Sequence, residues 1–386
     1  MIQEQFYQFD KAEESFRSGI AVAKTDDEKG ALYVNWACML VNKGDWYAAD
    51  VMCRRALKYR PDSPKARANL GICCLALKNW KEGWRLYDAV IGFDGSRRKV
   101  QYKDEQTWAG KKGQRVVVYG EQGLGDEIMF SSMLPELIRD SKSVVLDCTD
   151  RLAGLFQRSF PAATVYGTRW EKGLGWDREH TEVDASISIG GLGQHYRTDA
   201  SMFTGEPFLV PDPERVDMWK ALFARLGKPV IGVGWTGGVA WTGSQFRQWK
   251  LDDLLPVFRS VDAVFISLQY KDAGREIAEF RKRHPDVDIR QYPFGTLTQD
   301  YDDTAAMVAA MDFVFSMQTA AIHLAGGLGV PCWCFVNKYS AWRYGAHDET
   351  QMPWYKSVRL WRQNDDGSWP LDQAAAELGG RFANPA

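Results

Sequence analysis

The chain has 386 residues, of which 45% are hydrophobic and 25% charged, an ordinary composition for a folded globular protein. Its 48 Lys and Arg residues against 50 Asp and Glu residues give a formal net charge of -2, which offers no support for a nucleic-acid-binding protein. No apolar run approaches the ~20 residues of a membrane span, and the polar N-terminus lacks the apolar core of a signal peptide. We therefore expect a cytoplasmic protein of about two or three domains.

The first hundred residues contain an internal repeat. Residues 35–46 align with residues 69–80 at an offset of 34, which is the period of tetratricopeptide (TPR) repeats. Ala12 and Phe16 fit the second helix of an earlier, degenerate unit. The pattern predicts TPR-like helical repeats over 1–100. So short an array exposes little concave surface, so we favour docking or self-association over the alternative, a groove for a peptide or acceptor.

The remainder of the chain alternates short apolar strands with helical patterns after a polar linker at 101–113. This alternation predicts parallel sheets with helices on both faces. A proline-containing segment at 205–216 divides the region into two α/β domains, 114–206 and 207–386. Two similar α/β domains joined by a linker suit an enzyme whose site lies between them.

A glycine-rich turn, residues 120–126 (GEQGLGD), follows the apolar strand 116–118 and precedes a helix. In an open α/β sheet such a turn lies where ligands bind, and we expect its glycines to allow positive φ and close approach of a ligand. The turn is not a dinucleotide fingerprint, because Gln122 occupies a required glycine slot, and no Gly-Lys-Ser/Thr follows as in a P-loop. Asp126 is either a catalytic base or a helix N-cap, and this stretch alone favours neither.

The turn resembles the Gly-x-Gly-Asp turn that begins the heptosyltransferase-like glycosyltransferases of family 9, which have the GT-B fold. Further segments similar to that family follow in the same order, so that the resemblance covers about 115–380. These segments are 231–237, 247–248, 267–269, 303–306, 318–329, 342–343, 353–355 and 362–363. The resemblance implies a GT-B fold, with two Rossmann-like domains facing each other across a cleft, behind all-α TPR repeats.

The resemblance also implies the roles of particular residues. Asp126 would be the general base, with Gln122, Gly123 and Gly125 on the acceptor side. The N-terminus of a helix starting at Thr319 would hold the donor diphosphate, since helix N-termini bind phosphate. His323 lies one turn inside this helix, so we expect it to support the site from behind or to pack, and not to be a catalyst. The implied donor-binding residues are Trp235, Thr236, Gly237, Arg247, Gln269, Gln318, Thr319, Ala320 and Ala321.

The function that follows is an inverting glycosyltransferase that moves a sugar from a nucleotide-sugar donor to a hydroxyl of a glycan, protein or other acceptor. It would need no metal and no cofactor besides the donor, and we interpret Asp300-Tyr-Asp302 as a helix start, not a metal motif. One alternative is a non-catalytic TPR/GT-B scaffold, because Gln318 stands where the family has aspartate. A weaker alternative is a nucleotide-dependent epimerase or dehydrogenase, with Asp147 as the ribose-binding acid.

Overall fold

The computed structural model describes residues 8–93, 97–169, 171, 175–180, 182–238 and 243–383, without the side chain of Asp177. The polar residues 1–7, which enter the expectation of a missing signal peptide, lie outside this part of the chain. The chain divides into two units. The helical unit comprises the chain up to Lys99 with Gly191–Phe203 and Lys338–Glu349, and the α/β unit comprises the rest. Within the described residues, no helix is long and apolar enough to cross a membrane.

Two helical hairpins form the centre of the helical unit, preceded by one further helix. Thr25 caps the second helix in a reciprocal pair with Glu28, and Ser63 caps the fourth, which has proline at its start. The third and fifth helices begin at Trp46 and Trp80, at the predicted 34-residue spacing. Their assignment as TPR repeats stays a prediction. The helices are α1 (Phe9–Val22), α2 (Asp26–Lys43), α3 (Trp46–Tyr59), α4 (Pro64–Ala76) and α5 (Trp80–Tyr87).

Two glycines allow helices α4 and α5 to pack backbone against backbone. A Cβ atom on Gly71 would lie 2.9 Å from the backbone N of Tyr87, and one on Gly83 would lie 2.8 Å from the Leu75 side chain. No larger residue fits at either position without moving the helices apart. Gly71 and Gly83 therefore mark the crossing of α4 and α5.

Trp84 links this helical hairpin to chain segments that are distant in sequence. Trp342 packs edge-to-face against Trp84 and Tyr87, with ring centroids 5.7 Å away in both pairs. The Trp84 indole N–H donates to the Arg197 carbonyl at 2.8 Å, and a Cβ on Gly193 would lie 2.5 Å from the Trp84 ring. These partners lie within the segments predicted as α/β domains, whereas the structure includes them in the helical unit.

We predict that Trp342→Ala lowers the stability of the helical unit by about 3–5 kcal/mol, the usual effect of removing a buried large aromatic side chain. Amide hydrogen exchange in α4 and α5 measures this effect as lost protection. Tyr47→Ala is the control, because Tyr47 on α3 is 70% exposed and its removal should change stability by no more than about 0.5 kcal/mol. Equal protection in the two variants would contradict the prediction.

The first sheet of the α/β unit is fully parallel, with strand order β1-β5-β2-β3-β4. Strand β1 lies within the expected linker 101–113. This part of the linker belongs to the sheet, because Trp108 is buried and its backbone N–H donates to the Ser186 carbonyl at 2.9 Å. The helix expected after the glycine turn is followed closely by a second helix, since Pro135 favours a helix start. The elements are β1 (Gln106–Thr107), β2 (Arg115–Tyr119), α6 (Leu124–Ser131), α7 (Leu134–Asp140), β3 (Ser143–Asp147), α8 (Ala153–Ser159), β4 (Thr164–Tyr166) and β5 (Ala185–Ser188).

The second sheet has strand order β11-β12-β10-β9-β6-β7-β8 and is parallel except for β11. Before it, the chain forms α9 (Gly193–Tyr196), which belongs to the helical unit. The elements are α10 (Pro213–Ala224), β6 (Val230–Gly234), α11 (Leu255–Phe258), β7 (Val264–Ser267), α12 (Gly274–Arg283), β8 (Asp288–Arg290), α13 (Pro293–Thr296), α14 (Tyr301–Ala309), β9 (Phe313–Met317), α15 (Ala320–Leu328), β10 (Cys332–Val336), β11 (Gln351–Met352), β12 (Tyr355–Arg362) and α16 (Leu371–Ala383).

Each sheet reverses its strand order at one point, and ligands of open α/β sheets bind at the carboxyl ends of the strands there. In the first sheet the reversal lies between β2 and β5, where the glycine turn follows β2. In the second it lies between β6 and β9, followed by residues 235–238 and 318–319. The topology thus identifies the two regions that the sequence motifs had marked.

The seven cysteines are free, and six of them are buried. Burial raises the pKa of the Cys148 thiol above its usual value, so this group stays a neutral thiol near pH 7.

Candidate functional site

The glycine turn owes its shape to packing within the protein. None of its three glycines has a positive φ, and the left-handed residue of the turn is Gln122, with φ of 60°. A Cβ on Gly120 would lie 2.6–2.8 Å from the Glu127 carboxyl group. The expectation that these glycines supply positive φ is therefore wrong. Larger residues are excluded at these positions by close contacts with neighbouring side chains.

Asp126 lies in the first turn of α6, where its half-buried carboxylate accepts the Gly123 N–H at 3.0 Å. The helix N-cap itself is Gly123, whose carbonyl accepts the Asp126 N–H at 3.0 Å. A carboxylate in this position is stabilised by the free N–H groups and the positive end of the helix dipole. Asp126 thus closes the turn while keeping part of its surface accessible.

Two buried acids, Glu121 and Glu127, flank Asp126 and were not among the predicted site residues. The Glu121 carboxylate accepts the Gly190 N–H at 3.1 Å, just beyond β5. Glu127, which is 0% exposed, accepts the Thr149 N–H at 3.0 Å beyond β3. For Glu127 the sequence signal is an acid inside an apolar helical pattern, because a buried carboxylate needs hydrogen-bond donors.

The loop after β6 packs against the start of α15. A Cβ on Gly237 would lie 2.3 Å from Cγ2 of Thr319, so only glycine fits here. The side-chain amide of Gln269 donates to the Thr236 hydroxyl and accepts the Thr236 N–H at 3.4 Å. The indole of Trp235 is fully buried and donates to Glu276 at 3.2 Å. The indole of Trp235 is therefore a packing group in this structure, and the donor-binding role expected of Trp235 needs correction.

Arg247 and Gln318 meet beside this loop. The Arg247 guanidinium donates to the Gln318 carbonyl at 3.3 Å, and the Arg247 carbonyl accepts the Gly237 N–H at 3.0 Å. The Gln318 side chain is only 3% exposed, and its oxygen accepts the Asn337 N–H at 3.4 Å beyond β10. The predicted donor-binding residues from β6, β7 and β9 therefore gather at one end of the second sheet.

Thr319 is the N-cap of α15, as predicted, and its hydroxyl accepts the Ala321 N–H at 3.2 Å. We expected the N–H groups of both Ala320 and Ala321 to be free for a phosphate. The Ala321 N–H is instead bonded to the cap. A ligand phosphate at this end of the helix has the Ala320 N–H and the helix dipole to bind, and it must compete with Thr319 for Ala321.

The two regions adjoin directly through Gly125. A Cβ on Gly125 would lie 2.8 Å from Cδ2 of His323 and 3.4 Å from Cα of Ala320. His323 is buried and its Nδ1 lies 3.1 Å from the Tyr355 hydroxyl, which fits the packing role predicted for it. The residue that follows Gly125 is Asp126. The structure thus brings the predicted base and the predicted phosphate-binding helix start to the same place.

The acids at 300–302 have structural partners. Asp300 caps α14, and buried Asp302 accepts two hydrogen bonds from Arg158 on α8, at 3.0 and 2.7 Å. Asp147 is buried, and its carboxylate accepts hydrogen bonds from the hydroxyls of Tyr102 and Thr168 at 2.7 and 2.8 Å, so it has structural partners as well. Across the described residues there is no group of three or more His, Cys, Asp or Glu that could hold a metal ion.

Comparison with known proteins finds one curated relative, and no protein-family model matches the chain. The relative is Protein FlbA of Caulobacter vibrioides (strain ATCC 19089 / CIP 103742 / CB 15), 33% identical over 370 residues, or 87% of this chain and 59% of that protein. The chain therefore spans less than two thirds of its relative's length.

Among solved structures, a family 9 glycosyl transferase from Veillonella parvula DSM 2008 aligns with 74% of this chain and 97% of its own, at 11% identity and a TM-score of 0.48. The ADP-heptose lps heptosyltransferase II of E. coli aligns with 69% of this chain and 98% of its own, at 12% identity and a TM-score of 0.48.

We predict that Gly125→Ala destabilises the α/β unit by about 1–3 kcal/mol, because its Cβ would overlap His323. A denaturant titration followed by tryptophan fluorescence measures the change. Gly380→Ala is the control, since a Cβ there has nothing within 4 Å and alanine favours a helix. A Gly125→Ala protein as stable as the wild type would show that α6 and α15 are not in contact.

Proposed function

We propose that the chain is a glycosyltransferase with a GT-B fold, which transfers a sugar from a nucleotide-sugar donor to a hydroxyl group with inversion and without a metal. The observation that carries the proposal is the contact of Gly125 with Ala320 and His323. It supports a site in which an acid from the first sheet and a helix N-terminus from the second act on one substrate pair. The ordered sequence resemblance over 115–380 supports the same reaction class.

The donor diphosphate binds at the start of α15 in this proposal. The N-terminal N–H groups of a helix and its dipole favour a negatively charged group, and the Arg247 guanidinium, held against Gln318, adds a fixed positive charge. Together they stabilise the diphosphate as it leaves, which is the role a metal ion has in other glycosyltransferases. The Thr236–Gln269 pair holds the neighbouring loop in place.

Asp126 is the proposed general base. Its carboxylate takes the proton of the acceptor hydroxyl while the hydroxyl oxygen forms a bond to the anomeric carbon of the donor sugar. The bond from that carbon to the diphosphate oxygen breaks on the opposite face, and the nucleoside diphosphate leaves with the bonding electrons. The configuration at the anomeric carbon is therefore inverted.

We predict that Asp126→Asn lowers the turnover number about 10²–10⁴-fold, the usual effect of losing a general base, with donor affinity unchanged. Mass spectrometry of reactions with a panel of nucleotide sugars measures turnover, and calorimetry measures donor binding. Asp262→Asn is the control, because Asp262 is an exposed residue that pairs with Lys228. Near wild-type turnover in Asp126→Asn would show that Asp126 serves only to close the turn.

Gln318 offers a test of donor choice, because the resembling family has aspartate at this position. We predict that Gln318→Asp raises turnover with ADP-heptose about tenfold relative to other donors, since a carboxylate makes a charge-assisted bond to a sugar hydroxyl. Gln318→Glu adds the same negative charge but keeps the length of the glutamine side chain. The two variants together therefore separate the effect of charge from the effect of side-chain length. Unchanged turnover with every donor would show that residue 318 does not contact the sugar. That outcome would agree with the hydrogen bond that Gln318 accepts from the Asn337 N–H inside the protein.

The helical unit is proposed to act in docking or in acceptor choice. It includes segments from both parts of the α/β region, so its deletion would also remove the packing partners of Trp342. Single exposed substitutions on α3, such as Tyr47→Ala, test the docking role without that loss.

A further inference from the structure

Arg169 makes contacts that its place in the sequence does not suggest. It follows β4 by three residues, in a loop, yet its side chain is 8% exposed. One nitrogen of the guanidinium pairs with the buried carboxylate of Glu127, and another donates to the Gln122 carbonyl at 2.6 Å. A single planar cation therefore contacts the glycine turn at two points.

The hydrogen bond from Arg169 to the Gln122 carbonyl acts on the most constrained residue of the turn. Gln122 is the one turn residue with a left-handed backbone, at φ of 60°, a conformation that costs energy for a residue with a side chain. The peptide that begins at its carbonyl ends at the Gly123 N–H, which donates to Asp126. Arg169 thus holds one side of a peptide plane whose other side holds the Asp126 carboxylate.

Glu127 completes the arrangement from the other direction. It adjoins Asp126 in sequence, and it accepts hydrogen bonds from both Arg169 and the Thr149 N–H. Since Glu127 and Arg169 are both buried, neither can leave the pair without leaving an uncompensated charge. The first turn of α6 is therefore fixed against the loops that follow β3 and β4.

We propose that Arg169 is the positioning residue for the base, and that it sets the orientation of the Asp126 carboxylate through the Gln122–Gly123 peptide and through Glu127. This inference rests on the proposed function in one respect, the role of Asp126 as base. The ordering of the turn by Arg169 is testable without any substrate.

The test compares Arg169→Lys with Arg115→Lys. Lysine keeps a charge beside Glu127 but lacks the planar fork that serves two acceptors at once. Arg115 is the matched control, because its guanidinium makes two hydrogen bonds with Asp184, at 3.0 and 2.6 Å, at the opposite end of β2. Both variants lose an arginine guanidinium that makes two hydrogen bonds, one in the loop after β4 and one at the start of β2. Only Arg169 contacts the glycine turn.

Hydrogen exchange of the Gly123 amide is the first measurement. We expect Arg169→Lys to raise its exchange rate about fivefold or more, the effect of weakening one hydrogen bond, and Arg115→Lys to leave it unchanged. Should Arg169→Lys fail to fold, the double variant Glu127→Gln/Arg169→Gln removes both buried charges and takes its place. An unchanged Gly123 exchange rate in the folded variant overturns the proposal.

Turnover with a nucleotide sugar is the second measurement. We expect Arg169→Lys to lower kcat about ten- to a hundredfold with the KM for the donor unchanged, because a displaced base affects the chemical step. If Asp126→Asn is inactive while Arg169→Lys keeps the wild-type kcat, the positioning role alone fails. If Asp126→Asn itself keeps full activity, the proposed function fails, and the positioning of a base fails with it.

Discussion

The arrangement of the candidate site depends on one close contact, the approach of α6 to the N-terminus of α15 at Gly125. A side chain of even one carbon at this position would overlap His323. The contact requires the glycine turn to be compact, which in turn requires Gln122 to adopt a left-handed backbone and the neighbouring acids to be bonded inside the protein. The requirement for glycine at position 125 thus determines how the carboxyl ends of the strands in the two sheets are placed.

The sequence predicted the fold of the α/β unit well, because hydrophobic periodicity and glycine positions report local structure directly. Strand β2 includes the predicted strand 116–118, and α15 begins directly after Thr319, where a helix start was predicted. The exceptions are informative. Strand β1 was missed because two residues carry no periodicity, and the break before α7 was missed although Pro135 signals it.

The sequence predicted the site residues as a set, but it did not predict what each side chain does. Trp235 was assigned to donor binding because the segment 231–237 resembles a strand and loop of the family, whereas in the folded chain its indole is buried and donates to Glu276. Arg169 carried no motif, since its partners at Gln122 and Glu127 are more than 40 residues away and meet it only in the folded chain. Long-range contacts of this kind are not encoded in local periodicity.

The helical unit is assembled from chain segments that are distant in sequence, and this affects how the chain can fold during synthesis. Trp342, which packs against Trp84 and Tyr87, is synthesised long after both of them. Until then the Trp84 ring lacks one of its native contacts, although domains ordinarily fold in the order in which they are made. The packing of the helical hairpin α4–α5 is therefore complete only when this distant segment is made, which makes its completion a late event of high contact order.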